Sequence, residues 1–396
     1  MIFSPRIRKI SFSFFTVIVF FGLLEGVLRL AGVQPKIRLQ QFELPAWLAT
    51  LDPLLLDAYE GRLAAQGFVN EDIYAYRADE ELGYRLKPNL NLRVRNYSSP
   101  AHVDRMPEWT IISNSRGFRA GSDPEEPSHP DNPVRTIHVL GDSSSFGWGV
   151  DFEETYAYVL REKLNASLEP GEAPFAVRNH AMPGYSSFQG RRLMQGMDAI
   201  GKGDLVLVSF GGNDSLPVIT SDRLRHERRK SLTGRLNGAL SNFLFYRTLR
   251  ATLINLAGWK KSEAQRDTFR VSLKDYQDNL KTMFAIAEEK EARPVFVNVC
   301  NFYEFPAVAE SLSREKAVPF FNFPEQLKAY LPAVAALFPE KFMTYFKIYG
   351  DLMNTNESFA FLFPDNCHPN VIGHRLMGEI IFRTLQDESG LRSEIP

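Results

Sequence analysis

The stretch Thr136-Ile137-His138-Val139-Leu140-Gly141-Asp142-Ser143 decides the fold. Thr136–Leu140 is a short apolar run that suits a buried strand better than a helix. Gly141 lets the chain turn sharply and leaves Ser143 at the strand's carboxyl tip. A helix follows, because Tyr156, Val159, Leu160 and Leu164 recur at spacings of three and four. The same rhythm repeats further along. Phe175–Asn179 reads as a second strand, and Leu193, Met194, Met197 and Ile200 mark a second helix. Leu205–Val208 is almost wholly apolar, as expected of a strand buried on both faces. A long helix carries Phe269, Leu273, Tyr276, Leu280, Met283, Phe284 and Ala287. Val295–Val299 and Val318–Phe321 read as further strands. A last helix starts at Pro369, a favoured first-turn residue, and buries Val371, Ile372, Leu376, Met377, Ile380 and Ile381. Strands alternating with helices predict a parallel, doubly wound α/β sheet.

The segments that end or follow these strands carry the chemistry. Gly141-Asp142-Ser143 supplies a hydroxyl, Gly184 lies in the loop after the second strand, and Asn213 follows the third within Gly211-Gly212-Asn213-Asp214. Asp365 and His368 stand just before the last helix. A serine hydroxyl is a poor nucleophile without an adjacent base. His368 suits that role, with Asp365 fixing its tautomer and stabilising the imidazolium. An oxyanion needs preorganised donors; the backbone N–H groups of Ser143 and Gly184 and the Asn213 amide are the candidates. Ser144 and Ser145 crowd the nucleophile. Asp142 and Asp214 read as loop-structuring groups, and His180 and His374 as structural histidines.

These blocks, in this order, resemble the SGNH (GDSL-like) hydrolase superfamily over about residues 135–390. The wording Gly141-Asp142-Ser143-Ser144-Ser145-Phe146-Gly147-Trp148-Gly149-Val150 resembles a bacterial membrane-anchored branch. So do Gly83-Tyr84-Arg85-Leu86-Lys87-Pro88-Asn89 and Asn114-Ser115-Arg116-Gly117-Phe118-Arg119 upstream. The resemblance implies a flavodoxin-like three-layer α/β/α fold. It also implies hydrolysis or transfer of ester-linked acyl groups without metal or organic cofactor, and it selects Ser143 among the neighbouring serines.

Ahead of this domain, Ile10–Leu24 carries no charge, and the apolar character continues past Glu25 and Arg29 to Val33. A helix through Val33 is long enough to cross a bilayer. Arg6, Arg8 and Lys9 precede it, so the positive-inside rule places the N-terminus in the cytoplasm and the remainder outside. An uncleaved anchor over 1–33 is the favoured reading, since no good small-x-small site follows it, and a cleaved signal peptide is the rival. Both export the chain, to a bacterial periplasm or cell surface. Residues 34–133 read as an accessory β-containing segment, with strands at Leu90–Arg95 and Trp109–Ser113 and a Pro-rich boundary from Gly121 to Pro133. The catalytic domain is then 134–396, interrupted by insertions at 215–265 and 324–363. Both insertions follow strands, so both are able to overhang the carboxyl ends where ligands bind in such sheets. The basic run Arg223–Arg235 suits a solvated face or, more sharply, anionic headgroups or an anionic glycan.

The chain's 46 Lys and Arg against 47 Asp and Glu leave a net charge of -1, which gives no basis for a nucleic-acid partner. Cys300 and Cys367 are the only cysteines, too few for a disulfide scaffold and wrongly spaced for a zinc site. In an oxidising compartment they are able to form one bridge, which the sequence leaves open. The leading function is an esterase removing acyl groups, acetyl foremost, from an envelope glycan or related small ester. The alternatives are an O-acyltransferase using the same triad with a sugar hydroxyl in place of water, and a non-catalytic envelope scaffold or glycan-binding protein.

Overall fold

A computed structural model describes residues 5–35, 75–94, 109–121, 134–218, 220–257, 268–300, 304–330 and 367–388. By internal contacts the chain divides into two compact units, Met1–Val69 with His226–Glu263, and Asn70–Arg225 with Ala264–Pro396.

The larger unit is the α/β domain. In chain order its sheet strands and helices begin with β1 (Tyr76–Asp79), β2 (Gly83–Leu86), β3 (Asn91–Val94), β4 (Trp109–Ser113) and β5 (Arg119–Ala120). The wound portion follows: β6 (Arg135–Gly141), α1 (Ser143–Phe146), α2 (Tyr156–Ala166), β7 (Phe175–Asn179), α3 (Ser187–Gln195) and β8 (Leu205–Ser209). Beyond it come α4 (Leu273–Glu289), β9 (Arg293–Asn298), α5 (Phe305–Glu315), β10 (Phe320–Asn322) and α6 (Val371–Glu388). One eight-stranded sheet runs β10-β9-β8-β6-β7-β5-β4-β3. Its parallel members, taken in chain order from β6, stand in the order 2-1-3-4-5, that of flavodoxin-like doubly wound sheets. Helix α2 packs with α6, while α3 packs with α4 and α4 with α5, the pairing expected of two helical layers.

The predicted parallel sheet therefore holds for these five strands, but the whole sheet is mixed. Strands β3, β4 and β5 pair antiparallel to one another, and β5 joins β7 through Arg119 opposite Asn179. The segment read as accessory thus supplies strands to the same sheet. The core sits where the apolar runs predicted it. Val206, Leu207 and Val208 of β8 have no exposed surface, each worth about 1.5–3 kcal/mol of burial. Helix α3 begins earlier than its apolar residues suggest. Ser186 and Gln189 form a capping box at its start, and Met197 and Ile200 are buried beyond its end. Phe269 belongs to a two-residue strand, Thr268–Phe269, rather than to α4.

The described residues of the smaller unit are mostly helical. A helix over Pro5–Leu30 opens the chain, and its residues Ser11–Leu30 have a mean hydropathy of 2.0 with none of that span buried. Helices Leu232–Leu240 and Leu244–Ala257 belong to the same unit, in the predicted insertion. The second insertion is described only as far as Tyr330.

Candidate active site

Strand β6 delivers its last residue, Gly141, into a tight place. A Cβ there would stand 2.7 Å from the Ser145 Cβ and 3.0 Å from the Ser209 carbonyl, so only glycine lets the turn follow directly. Asp142 caps α1, accepting from the Ser144 N–H at 2.9 Å and the Ser144 hydroxyl at 2.7 Å. Burial pushes the Asp142 carboxyl above the usual carboxylate range, against the lowering effect of those Ser144 bonds. The crowding of serines resolves itself. Ser144 is committed to Asp142, and the buried Ser145 hydroxyl accepts from Tyr156 at 2.8 Å. Ser143 is half-buried, and its Oγ lies 2.6 Å from His368 Nε2.

Residues 225 positions apart in sequence thus meet at hydrogen-bond distance. His368 is held there partly by its neighbour, since Cys367 is bridged to Cys300 just past the end of β9. Asp365 lies outside the described residues. Asn213 links the loops that carry the predicted oxyanion groups. Asn213 Nδ2 donates to the Tyr185 carbonyl at 3.1 Å and to Asp142 Oδ2 at 3.3 Å, which ties the third block to the first two. Gly184 adopts φ +81, open to glycine at little cost, and a Cβ there would meet the Tyr84 hydroxyl at 2.7 Å. Asn179 completes the frame, donating to the Ser145 carbonyl at 3.0 Å and accepting from the Ala181 N–H.

Sequence reasoning missed the groups that brace these loops. Tyr84 of β2 donates its hydroxyl to the Pro183 carbonyl, and Tyr185 donates back to the Tyr84 carbonyl. Arg119 of β5 is buried under the loop after α1. It donates to the carbonyls of Phe146, Gly147 and Val150, and its guanidinium lies 4.5 Å from the Phe146 ring centroid. Burial lowers the Arg119 pKa to about 9, so it stays charged at neutral pH. Both residues stand in the upstream stretches quoted above for their resemblance, and that wording was the only available signal. Beneath the site, Ser187 donates to Asp214, and Asp222 pairs with the buried Arg270 at 2.8 Å. His374 accepts from the Tyr156 N–H through Nδ1 at 3.3 Å, and His180 bonds His138, so both serve as structural groups. Among the described residues no cluster of His, Cys, Asp or Glu is arranged to hold a metal.

A hydroxyl against an imidazole, on the loops of this sheet, defines the serine-hydrolase class. The GDSL-like Lipase/Acylhydrolase family model matches residues 139–376, and the chain belongs to that family. It is a serine hydrolase acting on ester bonds. Solved structures similar to it include a psychrotrophic esterase from Pseudoalteromonas sp., at 16% identity over 65% of this chain and 99% of that one, TM-score 0.35. A lipase/acylhydrolase from Enterococcus faecalis matches at 17% identity over 64% and 97%, TM-score 0.35. An acetylxylan esterase from Geobacillus stearothermophilus matches at 14% over 66% and 97%, also at 0.35. No curated protein matches the chain.

Proposed function

We propose that the chain is an envelope esterase, held to the membrane by its N-terminal helix, that cleaves acyl groups, acetyl foremost, from a glycan or related ester. The 2.6 Å approach of His368 Nε2 to Ser143 Oγ carries the catalytic reading. In this reading Ser143 Oγ attacks the ester carbonyl carbon while His368 takes its proton. Asp365 holds the other imidazole nitrogen and stabilises the imidazolium. The tetrahedral oxyanion is met by the N–H groups of Ser143 and Gly184 and by the Asn213 amide. Asn213 would exchange its longer contact, to Asp142, for the oxyanion. The intermediate then expels the alcohol, which leaves with the proton from His368. Water, activated by the same base, releases the acid and restores the serine.

Two observations support export. The N-terminal helix has the length and composition of a span, and the Cys300–Cys367 bridge belongs to an oxidising compartment. The test of the chemistry is labelling of the full chain in detergent by a fluorophosphonate. The parent is expected to label, Ser143→Ala to lose labelling, and His368→Ala to lose at least about a thousandfold in rate. A folded parent that admits small esters and never labels would overturn the catalytic reading. Acetate release from acetylated envelope glycan tests the substrate, and its absence beside robust labelling would remove the glycan assignment alone.

A further inference from the structure

The smaller unit contains a surface that ester chemistry does not use. Its opening helix presents Phe12, Phe15, Ile18, Phe20, Leu23 and Val27 to the outside, each more than half exposed. Near its carboxyl end this helix is docked onto the helix Leu244–Ala257. The Phe21 and Phe245 ring centroids lie 4.8 Å apart. Glu25 accepts from the Phe245 N–H at 3.0 Å and from Arg29 at 2.7 Å, and Arg29 also reaches the Asn242 carbonyl. A carboxylate in an apolar helix is thereby satisfied by a backbone donor some 220 positions away.

One face of the docked helix stays exposed. Leu249, Leu253 and Leu256, spaced four and three apart on one face, are 55%, 56% and 78% exposed. The preceding helix adds Leu232 and Leu236 at 84% and 56%, four apart. Charge is equally one-sided. From Arg228 to Ala257 the chain carries Arg228, Arg229, Lys230, Arg235, Arg247 and Arg250 and no Asp or Glu, in a protein of net charge -1. Leucine stripes among cations are the composition of helices that lie in a membrane interface. The contact with the opening helix falls over Phe21 to Arg29, its last turns, where a span leaves the hydrocarbon for the headgroups.

We propose that the helices Leu232–Leu240 and Leu244–Ala257 form a second membrane contact, lying in the outer interface beside the anchor. Their leucines enter the acyl boundary, and the exposed Arg228 and Arg235 beside those leucines meet anionic phospholipid headgroups. This rests on the anchor reading of the opening helix. It adds that the helix is retained in the mature protein, because its removal would take Glu25 from the Phe245 N–H, Arg29 from the Asn242 carbonyl and Phe21 from the Phe245 ring.

The test uses the full chain with single added cysteines, since the native pair is bridged. Leu253→Cys, Leu256→Cys, Phe15→Cys and Lys316→Cys are labelled with an environment-sensitive fluorophore. They are placed in phosphatidylcholine vesicles with and without phosphatidylglycerol, and circular dichroism confirms that each is folded. Nitroxide-bearing lipids are expected to quench positions 253 and 256 at least about twofold, more so with phosphatidylglycerol, and to spare position 316. Quenching at 15 without quenching at 253 and 256 would overturn this proposal and leave the anchor standing. A blue-shifted but unquenched label at 253 and 256 would assign the face to a protein partner or second copy, and also overturn it. No quenching at 15 would overturn anchor and proposal together.

Discussion

Deleting one oxygen from Tyr84 tests how the loop of Gly184 is held. Tyr84→Phe removes the donor to the Pro183 carbonyl and leaves the ring in place. A buried hydrogen bond is worth about 0.5–1.5 kcal/mol, so kcat is expected to fall up to about tenfold, with KM little changed. Parental kcat in this variant would show that packing alone positions the loop. Arg119→Lys makes the matching test beneath α1. A single ammonium cannot serve the carbonyls of Phe146, Gly147 and Val150 as the planar fork does. Each buried carbonyl left unpaired costs about 1–3 kcal/mol, so chemical denaturation should show a loss of that order per carbonyl. Neither role was legible beforehand. The sequence displayed Tyr84 and Arg119 within quoted motifs, but single polar atoms reaching across the fold leave no period to read. The pairing of Ser143 with His368 was legible because the chemistry asks for both types, one after the first strand and one before the last helix.

At the level of elements, the bridge from the end of β9 to the histidine loop is the clearest lever. It closes a separation of 67 residues, for which the chain-entropy account gives about 4 kcal/mol. Cys300→Ser with Cys367→Ser, or reduction of the parent, is expected to lower stability by about that amount in urea melts. Fluorophosphonate labelling should slow as well, because the residue beside His368 loses its tether. Unchanged labelling after complete reduction would show that the loop is placed without the bridge. The parallel strands were read from their apolar runs within a residue or two. The start of α3 was misplaced because its capping box, not its apolar stripe, marks the first turn. The joining of β5 to β7 was invisible, since it rests on one residue pair.

For the whole molecule, buried titratable groups set opposing responses to acid. Burial pushes His374 down to about 3 and holds His180 well below the usual histidine range. Both are neutral when folded. Their contribution is complete above about pH 6.5, the unfolded value, and is lost as pH falls toward the folded values. Asp214 runs the other way. Burial raises it to about 7, so the folded state keeps its proton, and that contribution is present below about pH 3.8 and lost as pH rises through 7. His374→Asn should therefore shrink the loss of stability between pH 7 and pH 4, while Asp214→Asn should enlarge it. Urea midpoints across that range check both signs. Identical profiles in parent and variants would mean these groups titrate alike in folded and unfolded chains.

The family match starts at Val139, whereas Tyr84 and Arg119 lie well before it. The boundary drawn by kinship and the boundary drawn by mechanics therefore differ. A fragment cut at the first would inherit the reacting groups and leave their scaffolding behind. In recombination the portable cassette is the longer one, opening ahead of β1. Shuffling this protein at the family edge would transmit the vocabulary of catalysis without its grammar.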